Sequence, residues 1–150
     1  CRRPCPSKQT LVIIPEIGLT PQLVQRFEER FDAPIVTLHS GLGSAERDRN
    51  WQAARTGQAA IVIGTRSAVF APLLTPGLII VDEEHDISLS QQDGLRYSAR
   101  DVAVKRAQLS DCPIVLGSAT PSLESMANAS SGRYQWHRLT QRAAGARPPQ

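Results

Sequence analysis

Short apolar runs that alternate with helical patterns restrict the fold of this 150-residue chain more than any other feature. Each run is rich in Val, Ile and Leu and lacks the polar alternation of a strand with one wet face, which is typical of strands buried on both faces. We predict five such strands, over residues 11–14, 35–38, 60–63, 78–81 and 114–116.

Helical patterns fill most intervals between these runs. We predict helices over 20–31, 44–55 and 98–109, and a short helix that starts at Thr120 and Pro121. The first helix has Thr20 as its N-cap and Pro21 at its first position, where a missing N–H costs nothing. Ser98 and Asp101 have the spacing of a capping box. Strand–helix alternation of this kind predicts an α/β fold with a mainly parallel sheet flanked by helices.

Composition and charge exclude several classes of protein. With 41% hydrophobic and 21% charged residues, the chain has globular composition and is neither disordered nor a coiled coil. Its apolar runs are strand-sized, so we expect no membrane span and no signal peptide. The net charge of +3 comes from the two ends, because residues 11–132 carry a net −4, which argues against a uniformly basic DNA-binding module. Three cysteines without framework spacing predict a reducing, cytoplasmic location.

The two ends of the chain differ from its middle. We predict an irregular N-terminal segment over 1–10, a single lobe over 11–132, and a connector or tail over 133–150. Cys1 and Cys5 are better explained as two thiols than as half of a zinc site, because structural zinc needs four ligands.

The residues that follow the predicted strands are small, polar or charged, and ligands of parallel sheets bind at this carboxyl edge. Asp82 and Glu83 directly follow the fourth strand, which is the Walker-B arrangement. There, the aspartate holds Mg²⁺ and the next carboxylate can orient the attacking water. An ordinary acidic turn is the alternative, and residues 82–85 by themselves support both interpretations equally.

A second motif, Ser118-Ala119-Thr120 after the fifth strand, favours the first interpretation. An Asp-Glu-x-His sequence followed by Ser-Ala-Thr resembles the DEAH-type helicases of superfamily 2. Within that superfamily, residues 11–22, 62–73, 78–107 and 115–125 are similar to the primosomal replication-restart helicases. The resemblance extends from about Leu11 to Arg147.

This resemblance implies the first RecA-like lobe of a P-loop NTPase that uses ATP and Mg²⁺. It further implies a 3′-to-5′ DNA helicase that acts on single-stranded and forked DNA and assembles primosome proteins at stalled forks. Asp82 would hold Mg²⁺ through water, Glu83 would activate the hydrolytic water, and both would bind nucleotide together with His85. His85 would also couple nucleotide state to Ser118, Ala119 and Thr120.

The resemblance also implies three DNA-contacting segments. The implied contacts are Pro15, Gly18, Thr20 and Gln22 in the first, Thr65 and Arg66 in the second, and Arg96, Tyr97 and Arg100 in an aromatic-rich loop. That loop has Leu89 and Leu95 where the family pattern has phenylalanine, so only Tyr97 remains for base stacking. The alternatives are a plain strand-to-helix turn at 15–20, a solvated arginine at Arg66 and a surface tyrosine at Tyr97.

The phosphate-loop pattern G-x-x-x-x-G-K-[ST] does not occur in the sequence, since neither Lys8 nor Lys105 follows glycine. We therefore expect a lobe that is incomplete at its N-terminus, without the second lobe or the zinc domain of the family. Such a fragment should not hydrolyse ATP, and a missing central part of the sheet should reduce its solubility. The alternative function is a non-catalytic remnant that binds DNA or protein.

Overall fold

The computed structural model describes residues 8–140, apart from the side chain of Ile17. Cys1, Cys5, most of the expected irregular N-terminal segment and the tail beyond residue 140 lie outside the described residues. The described residues divide into two units, one that ends at Thr120 and one that begins at Pro121.

The first unit contains seven strands and three α-helices. The strands are β1 (Gln9–Ile13), β2 (Ile35–Leu38), β3 (Ile61–Gly64), β4 (Pro76–Val81), β5 (Ser90–Gln91), β6 (Tyr97–Ser98) and β7 (Ile114–Leu116). The α-helices are α1 (Pro21–Arg30), α2 (Ser44–Arg55) and α3 (Ala99–Leu109), with short 3-10 turns at Glu16–Gly18, Arg66–Phe70 and Ile87–Leu89. The three predicted long helices are therefore confirmed.

The five predicted strands form one parallel sheet in the order β2-β3-β1-β4-β7. β1 lies at its centre and pairs with both β3 and β4. The sheet has no gap between its described strands, and the expectation that a central part of the complete sheet is missing stays a prediction. An additional strand has room only at the outer edge of β2 or of β7.

Gln9 explains why β1 begins two residues before the apolar run. The side chain is fully buried, and its Nε2 atom donates to the carbonyl oxygens of Ala54 (2.9 Å) and Ala59 (2.7 Å). Its Oε1 atom accepts from the backbone N–H groups of Leu74 (2.7 Å) and Thr75 (3.1 Å). A buried amide is costly unless its hydrogen bonds are made, and here they are made on both sides. Gln9 thus belongs to the sheet and not to an irregular segment.

Side chains of β1 alternate between two apolar clusters, one on each face of the sheet. Leu11 and Ile13 pack in the cluster that includes the small residues of α3, namely Ala99, Ala103 and Ala107. Val12 and Ile14 pack in the opposite cluster, against Leu23 and Phe27 of α1. The central strands are therefore covered on both faces, as their unbroken apolar runs predicted.

The helix caps agree with the predictions at two helices and differ at a third. The hydroxyl of Thr20 accepts from the N–H of Leu23 at 3.3 Å, and that of Ser98 accepts from the N–H of Asp101 at 3.3 Å. The prediction that a helix starts at Thr120 and Pro121 is wrong, because Ser122 provides the cap instead.

The second unit, described by itself, contains α4 (Leu123–Ser130) and an irregular segment that follows it. The hydroxyl of Ser122 accepts from the N–H of Ser125 at 3.2 Å and so caps α4. The predicted limit between residues 10 and 11 falls within β1, and the predicted limits at 132 and 133 stay a prediction. Within residues 8–140, no helix has the length and apolar character needed to cross a bilayer.

Candidate functional site

The carboxyl edge of the sheet gathers the segments that follow β1, β3, β4 and β7. The parallel ladder continues past the strands there: the N–H of Asp82 donates to the carbonyl of Ile13 (2.9 Å), and the N–H of Gly117 donates to that of Val81 (2.8 Å). The N–H of Glu84 then donates to the carbonyl of Gly117 at 3.0 Å. These bonds fix the segment after β4 against the segment after β7.

Asp82 presents an exposed carboxylate at the end of β4. Its Oδ1 atom accepts from the N–H of Glu83 at 3.0 Å. A Cβ atom at Gly117 would lie 3.2 Å from this oxygen, so a larger residue there would crowd the carboxylate. The glycine therefore keeps the space around Asp82 open.

The residues at this position fit a magnesium ion that is held jointly with phosphate and water. Mg²⁺ prefers oxygen ligands and usually takes only one or two carboxylates from the protein. Asp82 supplies an accessible carboxylate, and Glu83 follows it. No group of three or more potential metal-binding side chains occurs within residues 8–140, so this part of the chain holds no all-protein metal cage.

Glu83 adopts a left-handed backbone conformation with φ of 47°. This conformation costs a residue with a Cβ atom about 1–2 kcal/mol, and such strain often occurs at functional positions. The Oε2 atom of Glu83 lies 3.6 Å from Nδ1 of His85, so the carboxylate would form an ion pair with a protonated imidazole.

His85 connects the ends of β4 and β7. Its Nδ1 atom lies 2.7 Å from the hydroxyl oxygen of Ser118, and its Nε2 atom lies 3.2 Å from that of Thr120. The hydroxyl oxygen of Ser118 also accepts from the N–H of Thr120 at 3.0 Å. Because hydroxyls both donate and accept, they can hold the ring in either neutral tautomer or in its charged form. The structure thus brings His85, Ser118 and Thr120 together, and Ala119 lies between them in the chain.

Glu84 is buried, unlike the two acidic residues before it, and sequence reasoning gave it no role. Nη1 of Arg100 lies 3.2 Å from its Oε2 atom, while Nε of Arg100 donates to Oδ1 of Asp101 at 2.9 Å. Burial lowers the pKa of Arg100, but the hydrogen bonds to Asp101 and Glu84 outweigh this effect and raise it overall. The pair joins the segment after β4 to the start of α3. The structure therefore places Arg100 in an internal ion pair, and its contact with DNA stays a prediction.

Arg66 is likewise engaged within the protein and is not a solvated surface arginine. Its Nη1 atom lies 3.3 Å from the carbonyl oxygens of both Ser88 and Ser90. The preceding residue, Thr65, is buried, with its N–H bonded to the carbonyl of Leu38. Arg66 therefore joins the turn after β3 to the segment after β4.

The predicted aromatic-rich loop forms a small antiparallel hairpin, in which Ser90 pairs with Ser98 and Gln91 with Tyr97. The Tyr97 ring packs edge to face against Phe70, with centroids 5.0 Å apart and an angle of 68° between the rings. Arg96, next to it, is exposed and has no polar partner among residues 8–140. Phe70 was missed by sequence reasoning, because a phenylalanine within an apolar segment looks like a core residue.

The segment after β1 forms a 3-10 turn at Glu16–Gly18 and then enters α1. Pro15 is buried, whereas Gly18, Thr20 and Gln22 are exposed at the carboxyl edge. The carboxylate of Glu16 accepts from the hydroxyl of Ser40 at 3.0 Å, which links this turn to the loop after β2. That link has no signal in the sequence.

A family profile described as DEAD/DEAH box helicase matches residues 2–129. The chain belongs to the DEAD/DEAH box helicase family. It is 54% identical to replication restart protein PriA of Haemophilus influenzae over 140 residues. The aligned region covers 93% of this chain and 19% of that protein. It is also 47% identical to PriA of Bacillus subtilis over 129 residues. Here the aligned region covers 86% of this chain and 16% of that protein. The chain therefore spans less than a fifth of these DEAD/DEAH relatives.

A solved structure of RecG bound to a three-way DNA junction has a similar fold. Its TM-score is 0.55 at 25% identity, over 83% of this chain and 16% of the RecG chain. These findings confirm two sequence predictions, namely the resemblance to replication-restart helicases and the α/β fold of a RecA-like helicase lobe. Membership of the DEAD/DEAH helicase family also implies ATP and Mg²⁺ as cofactors.

Proposed function

We propose that this chain is part of an ATP-dependent 3′-to-5′ DNA helicase that acts in replication restart. The observation that carries the proposal is the placement of Asp82 and Glu83 at the end of β4, with His85 hydrogen-bonded to Ser118 and Thr120. An acidic turn without a function would not need to be tied to the end of another strand by both nitrogens of one imidazole.

In this proposal the carboxylates act on nucleotide. Asp82 would hold Mg²⁺ through water, and Glu83 would orient the water that attacks the terminal phosphate. When bound, Mg²⁺ neutralises charge on the phosphate oxygens. Gly117 keeps the Asp82 carboxylate accessible, and the left-handed turn at Glu83 directs the second carboxylate to His85.

His85 transmits the state of the nucleotide site to β7. A shift of Glu83 alters its attraction for the imidazole, and the imidazole carries Ser118 and Thr120 with it through two hydrogen bonds. The residues from Gly117 to Thr120 thereby respond to nucleotide although none of them is charged.

Single-stranded DNA is the proposed ligand of the same edge. Gly18, Thr20 and Gln22 are exposed there beside the first turn of α1, where small and polar groups bind phosphate without reading sequence. Arg96 supplies an uncompensated positive charge, while Arg66 and Arg100 contribute by fixing the segment that carries Arg96 and Tyr97. The proposed partners are forked DNA and primosome proteins, in the cytoplasm.

The decisive test is ATP hydrolysis by the longer protein that carries this segment. We expect Glu83→Gln to reduce the DNA-stimulated rate at least a hundredfold without weakening ATP binding, because it removes the group that orients water. Glu46→Gln is the matched control, since Glu46 is an exposed glutamate on α2. Equal rates for Glu83→Gln and the parent protein would refute the proposal.

The 150-residue chain by itself should not hydrolyse ATP, because its sequence contains no phosphate-loop lysine. This absence favours the second candidate function, a non-catalytic module that binds DNA or protein. Phosphate release by the purified chain with single-stranded DNA, abolished by Glu83→Gln, would exclude that alternative. An in-frame G-x-x-x-x-G-K-[ST] upstream in the gene would support the helicase instead.

A further inference from the structure

Phe70 is an exposed aromatic ring held between two buried neighbours. Val69 and Ala71 are 1% and 0% exposed, whereas Phe70 is 49% exposed. It lies at the end of the 3-10 turn that follows β3, on the carboxyl edge of the sheet. The backbone on either side is thus anchored in the core while the ring points outward.

Arg106 of α3 fixes that backbone on both sides of the ring. Its Nη1 atom donates to the carbonyl of Val69 at 2.6 Å and its Nη2 atom to that of Ala71 at 2.5 Å. Burial lowers the pKa of Arg106, but an arginine remains charged at any physiological pH. Charge-assisted bonds of this kind are roughly twice as strong as neutral ones, so the turn is held firmly.

A second set of contacts fixes the same turn to the hairpin of β5 and β6. Arg66, at the start of the turn, binds the carbonyls of Ser88 and Ser90. Tyr97 of β6 packs edge to face on the Phe70 ring, an arrangement that aromatic rings favour. The ring therefore has a fixed position and still leaves about half of the residue accessible.

We propose that Phe70, supported by Tyr97, is a stacking platform for an unpaired base of single-stranded DNA. The inference rests on the proposed function, because it names how that site holds its DNA. A preorganised ring accepts any base face without reading sequence, and such stacking contributes substantially to the binding of single strands. Arg96, exposed beside Tyr97, supplies the charge that a neighbouring phosphate requires.

In a duplex, stacking on the neighbouring base pairs covers both faces of a base, so the platform selects unpaired, unstacked bases of single strands. The platform also provides an aromatic ring, which the leucines at positions 89 and 95 do not. Leu89 is buried in the core and Leu95 is exposed, and neither can stack as a ring does.

The test measures binding of the 150-residue chain to a fluorescein-labelled oligothymidine by anisotropy. A second strand of equal length carries abasic sites in place of its thymines. We expect Phe70→Ala to weaken binding to oligothymidine about tenfold and to leave binding to the abasic strand unchanged. Phe70→Trp should restore oligothymidine binding, and Phe70→Leu, which keeps apolar bulk, should not.

Phe31→Ala is the matched control, because Phe31 is 47% exposed and also packs beside another aromatic ring, that of Phe27. It lies at the end of α1 that leads back to the start of β2, at the opposite edge of the sheet. Equal loss of affinity for both strands in Phe70→Ala, or equal affinity of Phe70→Leu and Phe70→Trp, would overturn the platform and leave the DNA-binding function intact. Failure of the parent chain to bind either strand would overturn the platform, whereas the hydrolysis test of Glu83→Gln in the longer protein decides the proposed function separately.

Discussion

The Nδ1 atom of His85 lies 2.7 Å from the hydroxyl oxygen of Ser118. This hydrogen bond joins the residue that follows the acidic run after β4 to the second residue after β7. Because Ser118 also accepts from the N–H of Thr120, the hydroxyl is the central member of a three-residue network. Hydrogen bonds in such networks strengthen one another, and the proposed coupling between the two strand ends runs through this one.

Removal of the Ser118 hydroxyl should uncouple the two strand ends. In the longer protein that carries this segment, we expect Ser118→Ala to reduce the stimulation of ATP hydrolysis by single-stranded DNA about tenfold. The two hydrogen bonds lost, to His85 and to the N–H of Thr120, contribute about 1 kcal/mol each, so the chain should still fold. Ser118→Thr retains a hydroxyl and is the control. An unchanged ratio of rates with and without DNA in Ser118→Ala would argue against coupling through this residue.

Two arginines of the aromatic-rich segment should differ sharply in their contribution to stability. Arg100→Ala leaves the buried Glu84 carboxylate without its guanidinium partner, and we expect the free energy of unfolding to fall by about 3 kcal/mol. Arg96→Ala alters an exposed side chain and should change it by less than about 0.5 kcal/mol. Denaturant unfolding followed by tryptophan fluorescence measures both. A similar fall in the free energy of unfolding for the two variants would contradict the inference that Arg100, and not Arg96, stabilises the fold.

Glycine at position 83 should stabilise the fold while removing the proposed catalytic carboxylate. The left-handed backbone favours glycine, and the added flexibility of the unfolded chain offsets part of the gain, so we expect about 0.5–1 kcal/mol. Asp111 has φ of 48°, and Asp111→Gly should give a smaller gain, since aspartate tolerates this conformation better. A lower melting temperature for Glu83→Gly than for the parent would show that other contacts of the side chain dominate.

Acid should weaken the turn that follows the acidic cluster. Interactions with Ser88, whose N–H donates to Oδ1 of Asp86 at 2.8 Å, favour the ionised carboxylate of Asp86 and lower its pKa. The stabilisation is therefore complete above the ordinary aspartate pKa of about 3.9 and is lost as the pH falls through the lower folded value. We expect the stability difference between the parent and Asp86→Asn to shrink below about pH 4. A carbon-13 titration of the Asp86 carboxyl group should give a midpoint below the ordinary value.

The central strands were predictable from sequence because strands that are buried on both faces consist of apolar residues. The edge strands β2 and β7 are also apolar, although they are only partly buried. The strands of residues 35–38 and 114–116 were placed at their observed bounds, and Thr20 and Ser98 were correctly identified as caps. The hairpin of β5 and β6 was not predicted, since two-residue strands have no periodicity to detect.

The parts of the site that escaped prediction depend on tertiary contacts alone. Glu84 and Asp82 stand two residues apart in one acidic run, yet one is buried in an ion pair and the other faces solvent. The contact of Arg66 with DNA phosphate stays a prediction, but its bonds to the carbonyls of Ser88 and Ser90 could not be foreseen, because these residues are far away in the chain. The start of α4 was also predicted at the wrong residue, because Thr120 and Ser122 are both good N-caps. In the structure the hydroxyl of Thr120 contacts His85, and that of Ser122 caps the helix.

The central position of β1 sets the order in which this sheet can assemble. β1 is the earliest of the described strands, but Thr10 pairs with Ile61 on one side and Leu78 on the other. During synthesis, β1 therefore cannot bury its apolar faces or pair either of its edges until much of the unit has left the ribosome. Parallel pairing over such separations is slow, and an unpaired central strand is a site of aggregation in the meantime. Because β1 is the central strand, the chain has to collapse around it quickly and in one concerted step.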